Sequence, residues 1–251
     1  PVPILHVAIP HHDEPDTLPV LLDRLVAAPL PPAWSRRVVV CDDASPPESL
    51  DVATRAIAGL NERGIDAVLL RHEHRRGKGA AVRSAFATIL EHASDTDAVV
   101  LQDADLEYDP ADHAALLARF ATGAPAVFGS RWSRQGGPSL GPLQRFGNWM
   151  LTRISNAMTG QRLSDMECGL KLLSVPALRT IHDELDEEGF GIEPQITASL
   201  ARHGLRIDEV PVSYAPRTVA EGKKISWRDG IEALRVIRRE QRRPAPTATA
   251  T

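Results

Sequence analysis

The stretch Ala98-Val99-Val100-Leu101-Gln102-Asp103-Ala104-Asp105 is a short apolar run that ends in two carboxylates. The run predicts a buried β-strand, since short apolar runs bounded by polar residues are typical of strands in α/β proteins. Residues two apart along a strand point the same way, so Asp103 and Asp105 can converge on one cation beyond the strand end. Glu107 continues the spacing and could add a third oxygen for Mg²⁺ or Mn²⁺. A solvated acidic turn ahead of Pro110 is the alternative.

Four further strand-like runs alternate with four helical patterns around this strand. The predicted strands are residues 4–9, 37–41, 67–71, 98–102 and 126–129. The predicted helices are residues 17–28, 48–63, 78–92 and 111–120. Such alternation predicts an α/β fold with βαβ units and a mostly parallel, Rossmann-like sheet. Ligands bind outside the carboxyl ends of the strands in such sheets.

The pattern changes after Ser130. A polar loop at 131–141 is followed by a helix near 143–158, an irregular stretch at 165–173, a helix near 193–203, a strand at 206–214 and a helix from Trp227. We predict one domain over residues 1–243, with a nucleotide-binding half at 1–130 and an α+β acceptor-binding half at 131–243. Residues 244–251 contain only Pro, Ala and Thr, and we expect them to be disordered.

Composition excludes several classes of protein. The 251 residues fit one domain, and the net charge of −4 provides no basic field for nucleic acid. Cys41 and Cys168 form no CxxC motif, which favours a reducing compartment over a disulfide framework. No apolar run approaches the roughly 20 residues that span a bilayer, and residues 1–10 do not resemble a signal peptide. We therefore expect a cytoplasmic protein.

Polar residues also end two other predicted strands. Asp42 and Asp43 follow residues 38–41 and could accept hydrogen bonds from a base or a ribose. Helix capping or turn formation by Asp43 and Ser45 is an equally good interpretation. His11 and His12 follow the first strand, but neighbouring strand residues face opposite sides, so we do not expect this pair to chelate a metal.

A glycine-containing turn, Arg76-Gly77-Lys78-Gly79, opens the third predicted helix. Its glycines could let the backbone approach a ligand, or they could serve a simple loop-to-helix turn. The chain contains neither a Walker motif nor GxGxxG.

The second half carries candidate phosphate-binding and acid/base residues. Arginine forks suit phosphate oxygens, and Arg131, Arg145 and Arg217 are candidates together with Lys224. Asp165 and Glu193 are candidate acid/base groups, although Glu193 also suits the first turn of a helix. The Arg-rich residues 235–243 could rest on an anionic membrane surface or form a solvated helix.

Seven segments in order resemble glycosyltransferase family 2, most closely its dolichyl- or polyprenyl-phosphate mannosyltransferase-like branch. They are Val7-Ala8-Ile9-Pro10 with Glu14, Val40-Cys41-Asp42-Asp43-Ala44-Ser45, Gly77-Lys78-Gly79-Ala80-Ala81, Asp103-Ala104-Asp105-Leu106, Gly129-Ser130-Arg131, Asp165 with Cys168-Gly169-Leu170-Lys171, and residues 209–214 with Arg217 and 221–224. The resemblance implies a GT-A fold. It also implies inverting, metal-dependent transfer of a hexose from a GDP-mannose or UDP-glucose type donor to a polyprenyl phosphate.

The resemblance also assigns roles to individual residues. It implies nucleotide-sugar binding by Pro10, His12, Glu14, Asp42 or Asp43, Lys78, Asp103, Ala104 and Arg131. It implies a metal site for Mg²⁺ or Mn²⁺ at Asp103, Asp105 and Glu107, and acceptor contacts at Ser130, Arg145, Arg217 and Lys224. The catalytic candidates are Asp105, Arg217, Asp165 and Glu193. The chain departs from the family at His12-Asp13-Glu14, where relatives usually read Tyr-Asn-Glu.

Three alternatives stay open at this point. Transfer to a small-molecule hydroxyl or amine would need a base, Asp165 or Glu193, whereas a phosphate acceptor is already anionic. A sugar-phosphate nucleotidyltransferase would need a Gly-rich loop after the first strand, which residues 10–15 do not provide. A non-catalytic nucleotide-sugar-binding subunit would be expected to lose Asp103 and Asp105.

We also expect that an enzyme acting on lipid makes peripheral contact with the membrane, through its basic C-terminal helix or a partner.

Overall fold

A mixed β-sheet forms the centre of the computed structural model, which describes residues 2–132, 142–217 and 227–244. Its strands in chain order are β1 Ile4–His11, β2 Ser35–Asp42, β3 Asp66–Arg71, β4 Ala98–Leu101, β5 Ala126–Ser130, β6 Lys171–Ser174 and β7 Ile207–Pro211. Across the described sheet the order is β3-β2-β1-β4-β6-β5-β7. All neighbouring strands are parallel except β6, which runs antiparallel to both β4 and β5. The predicted α/β fold with a mostly parallel sheet is confirmed.

Helices cover both faces of this sheet. They are α1 Leu18–Ala27, α2 Pro47–Glu62, α3 Lys78–Leu90, α4 His113–Phe120, α5 Pro142–Thr159, α6 Val175–His182, α7 Ile192–Arg202 and α8 Trp227–Gln241. Alternate residues of β1 enter two separate cores: Leu5, Val7 and Ile9 pack with α1, α2 and α4. Ala8 packs in the opposite core with α3, α6, α7 and α8. The middle residues of β1, β2 and β4 are mostly apolar because both faces of these strands are buried.

The prediction of an irregular stretch at 165–173 is wrong for its last three residues. Lys171–Ser174 is a strand, and α6 follows it directly. Ser174 caps that helix by accepting a hydrogen bond of 3.1 Å from the backbone N–H of Ala177. The strand was missed because it has four residues and begins with a lysine, which here is completely buried. The last strand also ends at Pro211, three residues earlier than predicted.

Within the described ranges, no helix is both long and apolar enough to cross a membrane. The predicted division into a nucleotide-binding and an acceptor-binding half stays a prediction. Lys224 and residues 245–251 lie outside the described residues, so the expected disorder of the tail also stays a prediction.

Candidate active site

A cavity of about 290 Å³ opens at the carboxyl ends of β1 and β4. Twelve of the residues predicted from the sequence line it: Pro10, His12, Glu14, Asp43, Lys78, Asp103, Ala104, Asp105, Glu107, Arg131, Glu193 and Arg217. The cavity therefore collects residues from the first strand, the turn before α3, the loop after β4 and the second half of the chain.

Asp103 and Asp105 face this cavity from the loop that follows β4. Burial and the charge of Asp105 raise the pKa of Asp103 to about 6, although Lys78 lowers it. Burial and the charge of Glu107 raise the pKa of Asp105 as well. A divalent cation would relieve this strain, because it favours the charged form of both carboxyls. The pair therefore fits a cation that takes its other ligands from substrate phosphates and water, as Mg²⁺ commonly does.

Both oxygens of Glu107 have protein partners, and its predicted role as a third metal ligand stays a prediction. Its Oε1 accepts a hydrogen bond of 2.9 Å from the backbone N–H of Arg217, and its Oε2 accepts one of 3.0 Å from the Tyr214 hydroxyl. No group of three potential metal-ligating side chains occurs among residues 2–132, 142–217 and 227–244. Leu106 has a φ of 63°, which turns the backbone between Asp105 and Glu107 and ends the alternation of a strand.

The Lys78 ammonium lies between two carboxylates of the cavity. Its Nζ is 2.8 Å from Asp103 Oδ1 and 2.5 Å from Glu193 Oε1. Burial raises the pKa of Glu193, but Lys78 and Lys171 outweigh that effect and hold the pKa below its ordinary value. Glu193 is therefore a stable anion paired with lysine, an arrangement that does not favour its predicted role as a base.

Arg217 connects two loops at the mouth of the cavity. Its two terminal nitrogens each lie 2.9 Å from an oxygen of Glu14, and its Nε donates to the Asp105 carbonyl oxygen at 2.8 Å. These hydrogen bonds to Glu14 raise the pKa of Arg217. The fork thus fixes the loop after β1 against the loop after β4.

The surroundings of Asp165 do not favour its predicted role as a general base. It is completely buried, and its two oxygens accept from Arg131 Nε and a terminal nitrogen of Arg131 at 2.7 Å each. Burial raises the pKa of Asp165, but the paired Arg131 outweighs it and lowers that pKa. Asp165 instead orients Arg131, whose guanidinium lies 5.0 Å from the Tyr214 ring centroid and lines the cavity.

The two aspartates after β2 have different roles. Asp42 is completely buried outside the cavity, where it meets His11 Nδ1 at 2.9 Å and the backbone N–H of Ser45 at 3.1 Å. Asp43 lines the cavity and accepts from the backbone N–H groups of Arg76 at 2.9 Å and Gly77 at 2.7 Å. Of the two, Asp43 is the one that lines the cavity, and its contact with a nucleotide stays a prediction.

Gly77 and Gly79, at the start of α3, pack against protein backbone, and Gly77 also lines the cavity. Gly77 has a φ of 108°, and a side chain there or at Gly79 would collide with the carbonyl oxygens of Glu188 and Glu187, respectively. The Gly79 N–H donates to the Glu188 carbonyl oxygen at 2.8 Å. Close packing against residues 187–188 therefore explains both glycines.

Two predicted acceptor contacts lie away from the cavity. Ser130 is buried, with its Oγ 2.6 Å from Ser164 Oγ. Arg145 is exposed, and its guanidinium lies 5.5 Å from the Trp132 ring centroid. Neither residue lines the described cavity.

Glu167 was missed by the sequence reasoning. It lines the cavity and has no hydrogen bond or ion pair within the described parts of the chain. Burial and the charge of Glu193 raise the pKa of Glu167 to about 7, although Arg131 and Lys171 lower it. Glu167 lies two residues after Asp165, and the resemblance to the family motif indicated Asp165 instead.

Comparison with known proteins identifies the family of this chain. The sequence pattern described as glycosyl transferase family 2 matches residues 6–182. The undecaprenyl-phosphate mannosyltransferase of Micrococcus luteus is 32% identical over 233 residues, which cover 92% of this chain and 91% of that protein. The undecaprenyl-phosphate 4-deoxy-4-formamido-L-arabinose transferase of Pseudomonas fluorescens is 28% identical over 225 residues, covering 89% of this chain and 61% of that protein.

Solved structures show the same fold at lower sequence identity. Glucosyl-3-phosphoglycerate synthase from Mycobacterium tuberculosis, in complex with Mg²⁺ and uridine diphosphate, has a TM-score of 0.64 at 19% identity, over 94% of this chain and 79% of that one. The complex of the same enzyme with Mn²⁺, uridine diphosphate and glucosyl-3-phosphoglycerate has a TM-score of 0.65. The chain therefore belongs to glycosyl transferase family 2 and is a glycosyltransferase with the GT-A fold.

Proposed function

We propose that this enzyme transfers a hexose, with inversion, from a GDP-mannose or UDP-glucose type donor to a polyprenyl phosphate in the presence of Mg²⁺ or Mn²⁺. The observation that carries the proposal is the charge balance of the cavity. Among the described residues, seven carboxylates line it, against the four cations Arg75, Lys78, Arg131 and Arg217. An anionic donor would be repelled from this cavity unless a divalent cation bound with it.

The donor half of the reaction follows from the residues at the strand ends. Pro10, His12 and Asp43 line the side of the cavity near β1 and β2, where a nucleoside would lie. Asp103 and Asp105 would hold the cation, which supplies Lewis-acid stabilisation of the departing diphosphate. Lys78 adds a positive charge beside the same carboxylates.

A phosphate acceptor suits the remaining groups. The phosphate is anionic at neutral pH and attacks the anomeric carbon without a base, which agrees with the ion-paired state of Asp165 and Glu193. Arg131 and Arg217 line the cavity and supply guanidinium groups suited to phosphate oxygens. The relatives named for undecaprenyl phosphate support this acceptor class.

The test is a transfer assay with labelled GDP-mannose and UDP-glucose, a short-chain polyprenyl phosphate, and either Mn²⁺ or EDTA. We expect labelled polyprenyl phosphate sugar with one donor, and only when metal is present. Metal-independent transfer would reject the proposed metal role. Transfer only to an alcohol would reject the proposed acceptor.

Glu167 favours a second candidate function, transfer to a hydroxyl. A carboxyl that has a pKa of about 7 and no partner within residues 2–132, 142–217 and 227–244 is suited to remove a proton from an alcohol at neutral pH. A transfer assay in which three carbohydrate or glycerol-type alcohols replace the lipid phosphate as acceptor would test this second function. Transfer to one of them that is lost in Glu167→Gln would support this function, and no transfer to any would reject it.

A further inference from the structure

The outward face of α5 is apolar where a helix on a protein surface is normally polar. Phe146 and Trp149 are each 57% exposed, and Met150 is 41% exposed. Their spacing of three and four residues places them on one face of the helix. The two rings stack, with centroids 5.9 Å apart and planes inclined by 30°. Such a contiguous exposed patch indicates a surface that binds a partner.

The opposite face of α5 belongs to the protein interior and adjoins the active site. Thr152 and Ser155 are buried, and Thr152 accepts from the backbone N–H of Met166, a residue that lines the cavity. Asn148 accepts a hydrogen bond of 3.2 Å from Arg131. A surface bound to the outer face of α5 would therefore lie next to the catalytic cavity.

The charge around this patch is strongly one-sided. Residues 132–164 contain four arginines and no Asp or Glu, although the whole chain has a net charge of −4. Arg153 follows Met150 on the outer face of α5, with its guanidinium 5.9 Å from the Trp149 ring centroid. The patch thus combines exposed aromatic rings with positive charge, the composition of helices that lie in the interface of an anionic membrane.

The neighbouring helix α8 extends the same character. It packs against α5, and a side chain at Gly230 would lie 2.9 Å from Leu151 Cδ1. Its exposed residues Ile231, Arg235 and Arg238 recur at spacings of four and three, so they form one stripe. Glu232 pairs with Arg235 at 3.1 Å, which leaves an excess of positive charge on this stripe.

We propose that the outer face of α5, formed by Phe146, Trp149, Met150 and Arg153, docks on the surface of an anionic phospholipid bilayer. The aromatic side chains enter the interfacial layer and Arg153 meets lipid phosphates. This orientation brings the catalytic cavity close to the lipid surface. The docking surface does not depend on the acceptor proposed above, so each can fail without the other.

The test is flotation of the full-length chain with vesicles of phosphatidylcholine alone or mixed with phosphatidylglycerol. We expect binding to the anionic vesicles. The double variant Phe146→Ser, Trp149→Ser should bind at least about tenfold more weakly, because it loses two interfacial side chains. Arg153→Gln should weaken binding about fivefold and reduce its sensitivity to salt. Val20→Ser removes an equally exposed apolar side chain from α1 and should change nothing.

Two further measurements make the outcome decisive. Thermal unfolding followed by circular dichroism should be the same in the double variant and in the unaltered enzyme, which shows that the variant is folded. Tryptophan quenching by brominated anionic lipid should fall in Trp149→Phe. Absence of vesicle binding, or equal binding by the double variant, would overturn the docking surface. A dimer in sedimentation velocity that the double variant dissociates would assign the face to a second copy instead.

Discussion

Replacement of Asp103 by Asn should stabilise the metal-free enzyme while it removes metal binding. In the folded protein the Asp103 carboxyl has a pKa of about 6, compared with an ordinary value of 3.8. At about 1.4 kcal/mol for each tenfold change in the ionisation equilibrium, ionised Asp103 costs about 3 kcal/mol of folding free energy at neutral pH. Asn has nearly the same shape and can still accept from Lys78, but it has no charge to desolvate.

The sign of the pH dependence follows from the raised pKa. Between pH 3.8 and about 6 the folded state binds more protons at Asp103 than the unfolded state does. The contribution of Asp103 to stability is therefore complete below pH 3.8 and is lost as pH rises through about 6. The Asn side chain cannot ionise, so Asp103→Asn does not lose this stability as pH rises. The variant should therefore be more stable than the unaltered protein at pH 7.5 and equally stable near pH 4.

The assay is thermal and urea unfolding in EDTA at both pH values. For a chain of this size, about 3 kcal/mol corresponds to a Tm increase of about 6–12 °C. Asp97→Asn is the matched control, because burial raises the pKa of Asp97 but hydrogen bonds from the backbone N–H groups of Ile4 and Ser94 lower it overall. That control should lose stability at pH 7.5. If Asp103→Asn is no more stable than the unaltered protein at pH 7.5, the strain attributed to this carboxyl does not exist.

Three further predictions concern other groups. Arg217→Ala should lower the transfer rate about 100-fold with a smaller change in nucleotide affinity, measured by steady-state kinetics and nucleotide titration; a loss confined to nucleotide affinity would reassign the residue. With an alcohol acceptor, the transfer rate should rise as pH passes through about 7, because Glu167 then loses its proton. Glu167→Gln should lower that rate about 10²–10⁴-fold and flatten the pH profile. An unchanged pH profile in this variant would contradict the role of Glu167 as a base. Cys41 and Cys168 should react with a colorimetric disulfide reagent only after unfolding, because burial raises the pKa of both thiols to about 12; rapid native reaction would show that the thiols are accessible.

The alternation of strands and helices could be predicted because it depends on local periodicity. The apolar runs of β1, β2 and β4 are long enough to indicate buried parallel strands, and the polar residues that end them mark the ligand-binding edge. The β6 strand could not be found in this way, since its four residues include the buried Lys171. Only the antiparallel pairing with β4 and β5 makes those residues a strand.

The predicted site was incomplete wherever tertiary contacts decide the role of a side chain. The left-handed backbone at Leu106 directs Glu107 to Tyr214 and Arg217, which lie more than 100 residues away. The pairing of Arg131 with Asp165 spans 34 residues and is invisible to motif spacing. Glu167, two residues further on, has no such partner among the described residues.

Calorimetric titration of uridine and guanosine diphosphates, each with Mn²⁺ or with EDTA, tests the role of Asp103 and Asp105 most directly. We predict that one nucleotide binds the unaltered enzyme strongly only with Mn²⁺. Asp105→Asn and Asp103→Asn should each lose the metal-dependent part of this binding, because each removes a carboxylate that faces the cation. Equal nucleotide affinity in Mn²⁺ and in EDTA, or full Mn²⁺ dependence in both variants, would contradict the metal site.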